Sequence, residues 1–222
     1  MVSIVDNDQL RERVRRERIV AILRGTDVDA TVVAARTLIE AGIGTVEIAL
    51  TLKDAGEAIR QLVADAPAGA LVGAGTVLTE ADVDHAVDAG AQFIVTPTLA
   101  PSVGYAIGQR LGVLPGVYTP TEIHRGMEMG AAAVKLFPAS ALGPGFVKAV
   151  RDPLPDARIL PVGGVTVESI GDYLGAGAFG FGIGGPLVGD AARPGGDLAA
   201  LASRAAAFRA ALEAAEPGAV SP

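Results

Sequence analysis

The chain has 222 residues, half of them hydrophobic but only 4% aromatic, with a net charge of −7 and no cysteine. That length makes one large domain or two small ones, with a sizeable core built from Val, Ile, Leu and Ala. The acidic balance argues against non-specific nucleic-acid binding and anionic membranes, and the missing thiols exclude disulfides, a thiolate nucleophile and cysteine-ligated zinc.

Residues 1–18 read as a leading helix, in which "RERVRRER" (11–18) alternates Arg with Glu in the manner of a solvated face. Acidic residues by position 6 and the lack of an apolar segment predict no signal peptide. No stretch free of Gly, Pro and charge reaches the length of a membrane span, so a soluble, cytoplasmic protein is expected.

From residue 19 onward one pattern recurs. "IVAIL" (19–23) is followed by "DATVVAARTLIEAG" (29–42), a helical repeat opened by an Asp cap and closed by Gly42. "TVEIAL" (45–50) and "ALVGAG" (70–75) are the next apolar runs, and "TEADVDHAVDAG" (79–90) repeats the helix design. Then come "QFIVTP" (92–97), "VLPG" (113–116) and "TPTEIHRGMEMG" (119–130), with Pro120 suited to a first helical turn. "AVKLFP" (133–138), "RILPVGG" (158–164) and "AFGFGIGG" (178–185) complete eight runs. The "GPG" at 143–145 reads as a plain loop, "DLAALASRAAAFRAALEAA" (197–215) as the last helix, and "EPGAVSP" (216–222) as a disordered tail.

The runs are short, rich in β-branched or small residues, and lack strict polar alternation, as strands buried on both faces of a parallel sheet do. They begin about 20–26 residues apart. Eight alternating β and α units fit an open doubly wound sheet or a closed barrel. With no larger break and no G-x-G-x-x-G after the first run, the expectation is a single (β/α)₈ barrel over 19–215, an α/β fold of the TIM type.

Two residues do not fit their surroundings. Lys135 interrupts an apolar strand in a chain with three lysines and fifteen arginines. Desolvation lowers a lysine's pKa, and a neutral amine attacks carbonyls, which an arginine cannot do. A stem that snorkels to solvent is the structural alternative. Glu47 sits mid-strand in "TVEIAL", with no neutralising neighbour nearby in sequence. Such a carboxyl is paired, protonated, or lining a polar cavity, and a raised pKa suits a proton carrier in Schiff-base chemistry. A structural Lys–Glu or Arg–Glu pair would place it equally well.

Arg24, ending the first run, can grip a carboxylate at a barrel mouth or stand in water as a strand-end arginine. Thr76 in "GAGTV" can donate to the same anion, or act as a cap or turn residue. Glycine pairs follow the seventh and eighth runs, where barrels often cradle phosphate on exposed N–H groups. His85 and His124 are the only imidazoles and lie in no H-E-x-x-H pattern, so no metal site is expected.

"IVAILRG", "VEIALT", "VGAGTV", "FIVTPTL", "PGVYTPTE", "VKLFPAS", "PVGGV" and "GIGGPLV", in this order, resemble the class I aldolases that cleave 2-keto-3-deoxy-6-phosphogluconate (KDPG) or 4-hydroxy-2-oxoglutarate (KHG). The resemblance spans about residues 17–210. It implies a (β/α)₈ fold, a homotrimer, pyruvate as one product, and no cofactor beyond the covalent imine. It puts the Schiff-base lysine at Lys135, the general acid/base at Glu47, and the pyruvate carboxylate on Arg24 and Thr76. Pro97 and Phe137 fall on positions packing around the substrate, and Gly163, Gly164, Gly184 and Gly185 on the phosphate region.

Two departures mark this chain. Thr51 stands where some members have Arg, leaving Arg24 as the carboxylate clamp. Gly185 stands where many have Ser, and Pro186 beside it offers no N–H, so two phosphate donors are missing. That shifts the expected substrate toward non-phosphorylated or shorter 2-keto acids such as 4-hydroxy-2-oxoglutarate, with the galactonate-derived epimer (KDPGal) also open. Two rival readings use the same residues: a phosphate-binding isomerase or epimerase with Glu47 as base and no imine, and a silent sugar-phosphate binder with Lys135 and Glu47 as a buried pair.

Overall fold

Helix and strand alternate along nearly the whole chain in the computed structural model, which describes residues 4–215. The order begins α1 (Asn7–Glu17), β1 (Ile19–Leu23), α2 (Val28–Glu40), β2 (Thr45–Ala49), α3 (Ala55–Asp65), β3 (Leu71–Gly75), α4 (Glu80–Asp88), β4 (Phe93–Val95) and α5 (Pro101–Gly108). It continues with β5 (Gly112–Leu114), β6 (Gly116–Val117), α6 (Pro120–Glu128), β7 (Val134–Leu136), α7 (Gly143–Arg151), β8 (Ile159–Pro161), α8 (Ile170–Gly175), β9 (Phe181–Ile183), α9 (Gly185–Val188) and α10 (Leu198–Ala215).

All eight apolar runs form strands. The fifth is divided in two at Pro115, whose ring removes a ladder donor. Every pairing is parallel, in one ladder of order β5-β4-β3-β2-β1-β9 and a second of order β6-β7-β8. The result is a curled parallel sheet with helices outside it. Residues of alternate parity along the strands sort into two cores. Ile19, Ala21, Leu23, Val46, Ile48, Val134 and Leu136 pack outward against the helices. Val20, Leu71, Phe93, Val95, Leu114, Ala133 and Leu160 fill the inside of the curl.

α1 closes one end of that interior. Leu10 and Val14 are wholly buried against the inner cluster. The Asn7 side-chain oxygen accepts the N–H groups of Val113 and Ala132 at 2.9 and 3.1 Å, tying β5 to the segment before β7. The helix starts at Asn7, later than expected, because Asp6 and Gln9 form a capping box.

The basic stretch 11–18 is only partly a solvated face. Arg11 and Arg15 pair with acids on their own helix. Arg13 instead donates to the Thr45 hydroxyl at 3.1 Å and to the carbonyls of Gly44 and Gly69, with Glu17 at 2.7 Å. Arg18 donates to the Phe179 carbonyl at 2.8 Å. These two arginines fasten α1 to the loops beneath the sheet.

Other boundaries also shift. The cap of α2 is Asp27, whose side chain accepts the Ala30 N–H at 2.9 Å. Thr79 and Thr119 cap α4 and α6 with full capping boxes, each worth about 1 kcal/mol. The "GPG" segment is no loop: it opens α7, with Pro144 in the first turn, where a missing N–H costs nothing. Among the described residues no helix is long and apolar enough to cross a membrane. The expected tail at 216–222 lies outside the described residues.

Candidate active site

In a parallel sheet, side-by-side residues face the same way, so the register decides which side chains meet inside the curl. Glu47, at the centre of β2, lies beside Ile22 on β1 and Gly73 on β3. Lys135, at the centre of β7, lies beside Gly116 on β6 and Leu160 on β8. Leu160 belongs to the inner cluster, and Lys135 shares its face. Exposure is 1% for Glu47 and 3% for Lys135, so the lysine does not snorkel to solvent.

Each side chain is displaced from its ordinary ionisation by its own burial, and the other's charge opposes the shift. Burial pushes the Glu47 carboxyl above the usual carboxylate range, against the pull of the Lys135 and Arg24 cations. Burial pushes the Lys135 amine below the usual lysine range; Glu47 opposes that shift and the Arg24 charge adds to it. Both shifts run toward the uncharged form of the group. Oε2 of Glu47 is buried with no hydrogen-bond partner, leaving it free for a group entering the interior.

Arg24 follows β1 and is exposed at the rim. It borders a cavity of about 290 Å³ together with Phe137, Gly163, Gly164, Gly184 and Gly185, six of the ten residues singled out in the sequence. The other four do not border it. Glu47 lies one strand away from it, beside its register partner Ile22, which lines the cavity. Lys135 reaches it through Phe137, whose ring centroid is 5.5 Å from the lysine Nζ. Thr76 sits at the end of β3 with φ of 61°, a left-handed conformation uncommon for a β-branched residue. Pro97 packs its backbone on Gly116 instead of facing the cavity.

Gly163 and Gly164 both have positive φ, at 89° and 82°, and a Cβ on Gly164 would meet Ser140 Cβ at 2.6 Å. Gly185 differs, since a Cβ there would meet nothing within 4 Å. Among the described residues no group of three or more His, Asp or Glu side chains is placed to hold a metal.

Sequence reading passed over the residues that make room for these groups. A Cβ on Gly75 would meet Glu47 Oε1 at 2.6 Å, and one on Gly73 would meet the Phe93 ring at 2.5 Å. The available signal was a pair of glycines inside a strand run, which marks close approach by another group.

Comparison with known proteins gives one answer. The KDPG and KHG aldolase family model matches residues 10–202. The probable 2-dehydro-3-deoxy-6-phosphogalactonate aldolase of Rhizobium meliloti (strain 1021) is 39% identical over 198 residues, covering 88% of this chain and 92% of that protein. The 2-dehydro-3-deoxy-6-phosphogalactonate aldolase of Escherichia coli (strain K12) is 39% identical over 192 residues, with coverage of 86% and 92%. A solved structure described as native KDPGal aligns with a TM-score of 0.82 at 38% identity, covering 89% of this chain and 95% of the other.

Proposed function

The chain belongs to the KDPG and KHG aldolase family, and we propose that it is a class I aldolase in which Lys135 forms the imine and Glu47 moves the protons. It is a lyase that cleaves 2-keto-3-deoxy acids to pyruvate and an aldehyde, reversibly. The observation that carries the residue roles is the burial of one amine and one carboxyl in the same interior, each biased toward its neutral form.

The Lys135 amine attacks the C2 carbonyl, and loss of water from the carbinolamine, with a proton from Glu47, leaves an iminium. Glu47, now a carboxylate, takes the proton of the C4 hydroxyl. The C3–C4 bond breaks, its electrons pass into the iminium to give an enamine, and the aldehyde departs. The enamine is protonated at C3, and water releases pyruvate from the lysine. Because the imine is the electron sink, this chemistry calls for no metal.

Arg24 and Thr76 would hold the pyruvate carboxylate, with Pro97 and Phe137 packing around the substrate chain. The glycines at 163, 164, 184 and 185 would face the distal end of the substrate across the cavity. The 6-phosphogalactonate series is the first substrate to try, since both curated relatives above carry that name. The open space at Gly185, where no hydroxyl is supplied, favours shorter unphosphorylated 2-keto acids as the second.

The same reading closes the curled sheet into a (β/α)₈ barrel. It is supported by the Val162–Gly182 bridge and the Phe179 N–H to Ile159 carbonyl bond at one seam, and by the Ala132 N–H to Val113 carbonyl bond at the other. A homotrimer follows from the resemblance, and light scattering in solution tests it.

Intact mass after incubation with pyruvate and borohydride, followed by peptide mapping, tests the mechanism. A stable pyruvyl adduct confined to Lys135 is the expected result. Cleavage without any adduct would transfer the reading to an imine-free lyase, and turnover without either cleavage or adduct to the isomerase or epimerase.

A further inference from the structure

Thr96 lies one residue beyond β4 and is wholly buried, although it carries a hydroxyl. A buried hydroxyl costs free energy unless its hydrogen bonds are made. This one makes two. Its Oγ1 donates to the carbonyl of Thr98 and accepts the N–H of Gly116 at 3.3 Å. The backbone N–H of Thr96 also donates to the Leu114 carbonyl at 3.2 Å. One side chain thereby pins the turn after β4 to the head of β6.

Gly116 is the strand partner of Lys135. A Cβ at 116 would meet the carbonyl carbon and oxygen of Pro97 at 2.1 Å and the Thr98 nitrogen at 2.6 Å. The place beside Lys135 on the β6 side therefore holds no side chain. It is filled by the Pro97–Thr98 peptide, held there by the Thr96 hydroxyl. On the other side of the lysine, Leu160 takes the corresponding place.

We infer that Thr96 is a positioning residue, whose hydroxyl clasps the Pro97–Thr98 peptide onto Gly116 as the rigid wall that aims the Lys135 amine. A lysine has a long flexible stem, and near-attack geometry on a carbonyl needs it confined sideways. Loosening the wall leaves the amine present and buried but poorly directed. The inference rests on Lys135 being the nucleophile, as proposed above.

The rate of pyruvate trapping by borohydride at Lys135 is the readout, measured beside the melting temperature. Thr96→Val keeps the shape and removes both hydrogen bonds, and trapping is expected to slow about 10- to 100-fold. Thr96→Ser keeps both bonds and is expected to trap within about three-fold of wild type. Ser102→Ala is the control, since Ser102 is another buried hydroxyl, donating from α5 to the Val77 carbonyl at 3.0 Å and bonding neither strand partner of Lys135. It should lower the melting temperature and leave trapping unchanged.

Thr96→Val trapping at the wild-type rate, with only its melting temperature reduced, would overturn the inference and leave Thr96 a structural residue. Should that variant not fold, Thr96→Ser decides, because a ten-fold loss there would assign the effect to the methyl group. A wild type that gives no adduct at Lys135 overturns the aldolase mechanism first, which separates that failure from this one.

Discussion

The carboxyl of Glu47 occupies the space that a side chain on Gly75 would fill, with Oε1 at 2.6 Å from the place of a Cβ at 75. The two residues sit on adjacent strands, Glu47 two register steps before the Ala49–Gly75 partners and so on the same face. A glycine is required there for steric room, since its φ is not in the left-handed region.

Gly75→Ala should therefore displace the carboxyl. A shift on the order of 1 Å is enough to cost about 100-fold in kcat, while the buried Lys135 keeps its surroundings. Steady-state kinetics together with pyruvate trapping checks this: overall cleavage is expected to fall more than adduct formation. Equal loss in both would mean that Glu47 serves the two steps alike.

Lys135→Arg keeps a cation but removes the capacity to form an imine. Cleavage should fall at least about 1,000-fold, the scale on which loss of a nucleophile is felt, and no pyruvyl adduct should be found by mass. Retained turnover in this variant would eliminate the covalent mechanism.

Glu47→Gln should lower kcat by about 100- to 10,000-fold, the usual worth of a positioned acid/base group. Its effect on stability depends on pH. The folded-state pKa of Glu47 is raised above its unfolded value, so the stability that its protonated form contributes is full below the ordinary glutamate pKa and is lost as pH rises through the folded pKa. The melting temperature of Glu47→Gln relative to wild type should thus climb as pH goes from acid to neutral. Thermal melts across that range measure it, and a difference independent of pH would contradict the raised pKa.

Lys135 runs the opposite way. Its folded-state pKa is depressed, so the amine becomes nucleophilic at a pH below the ordinary lysine range, and stability is lost as pH falls through that depressed value. The acid limb of kcat/KM should lie below the titration of a solvent lysine. Borohydride trapping as a function of pH would locate it.

Gly185→Ser adds a hydroxyl where a Cβ meets nothing within 4 Å, on the wall of the cavity. A hydrogen bond to a charged phosphate contributes about 1.5 kcal/mol or more, so KM for a 6-phosphorylated substrate should fall about ten-fold. KM for 4-hydroxy-2-oxoglutarate should not change. If both fall together, the hydroxyl acts on something other than the phosphate.

Much of the fold was legible in the chain because its signals are local. Strands buried on both faces must be apolar throughout, and the eight runs stood out for that reason. Thr79 and Thr119 announce helix starts through the residues three places on. Lys135 and Glu47 were conspicuous by contrast, each a charge in a run that should hold none. The misreadings came where one local signal had two meanings: "GPG" suits a loop or a first helical turn, and the arginines of α1 suit solvent or a neighbouring carbonyl.

The sequence alone thus determined the alternation of strand and helix, and the presence of one amine and one carboxyl that no apolar strand would carry without a use. Only the tertiary structure decided that the two share an interior, that Gly75 and Gly116 stand beside them empty of side chains, and that Thr96 closes a wall next to the lysine. Those relations join residues separated by 19 to 88 positions in the chain, and they arise when parallel strands are set in register. Local pattern records which face a residue presents, whereas its neighbour across the sheet is fixed only once the strands have paired.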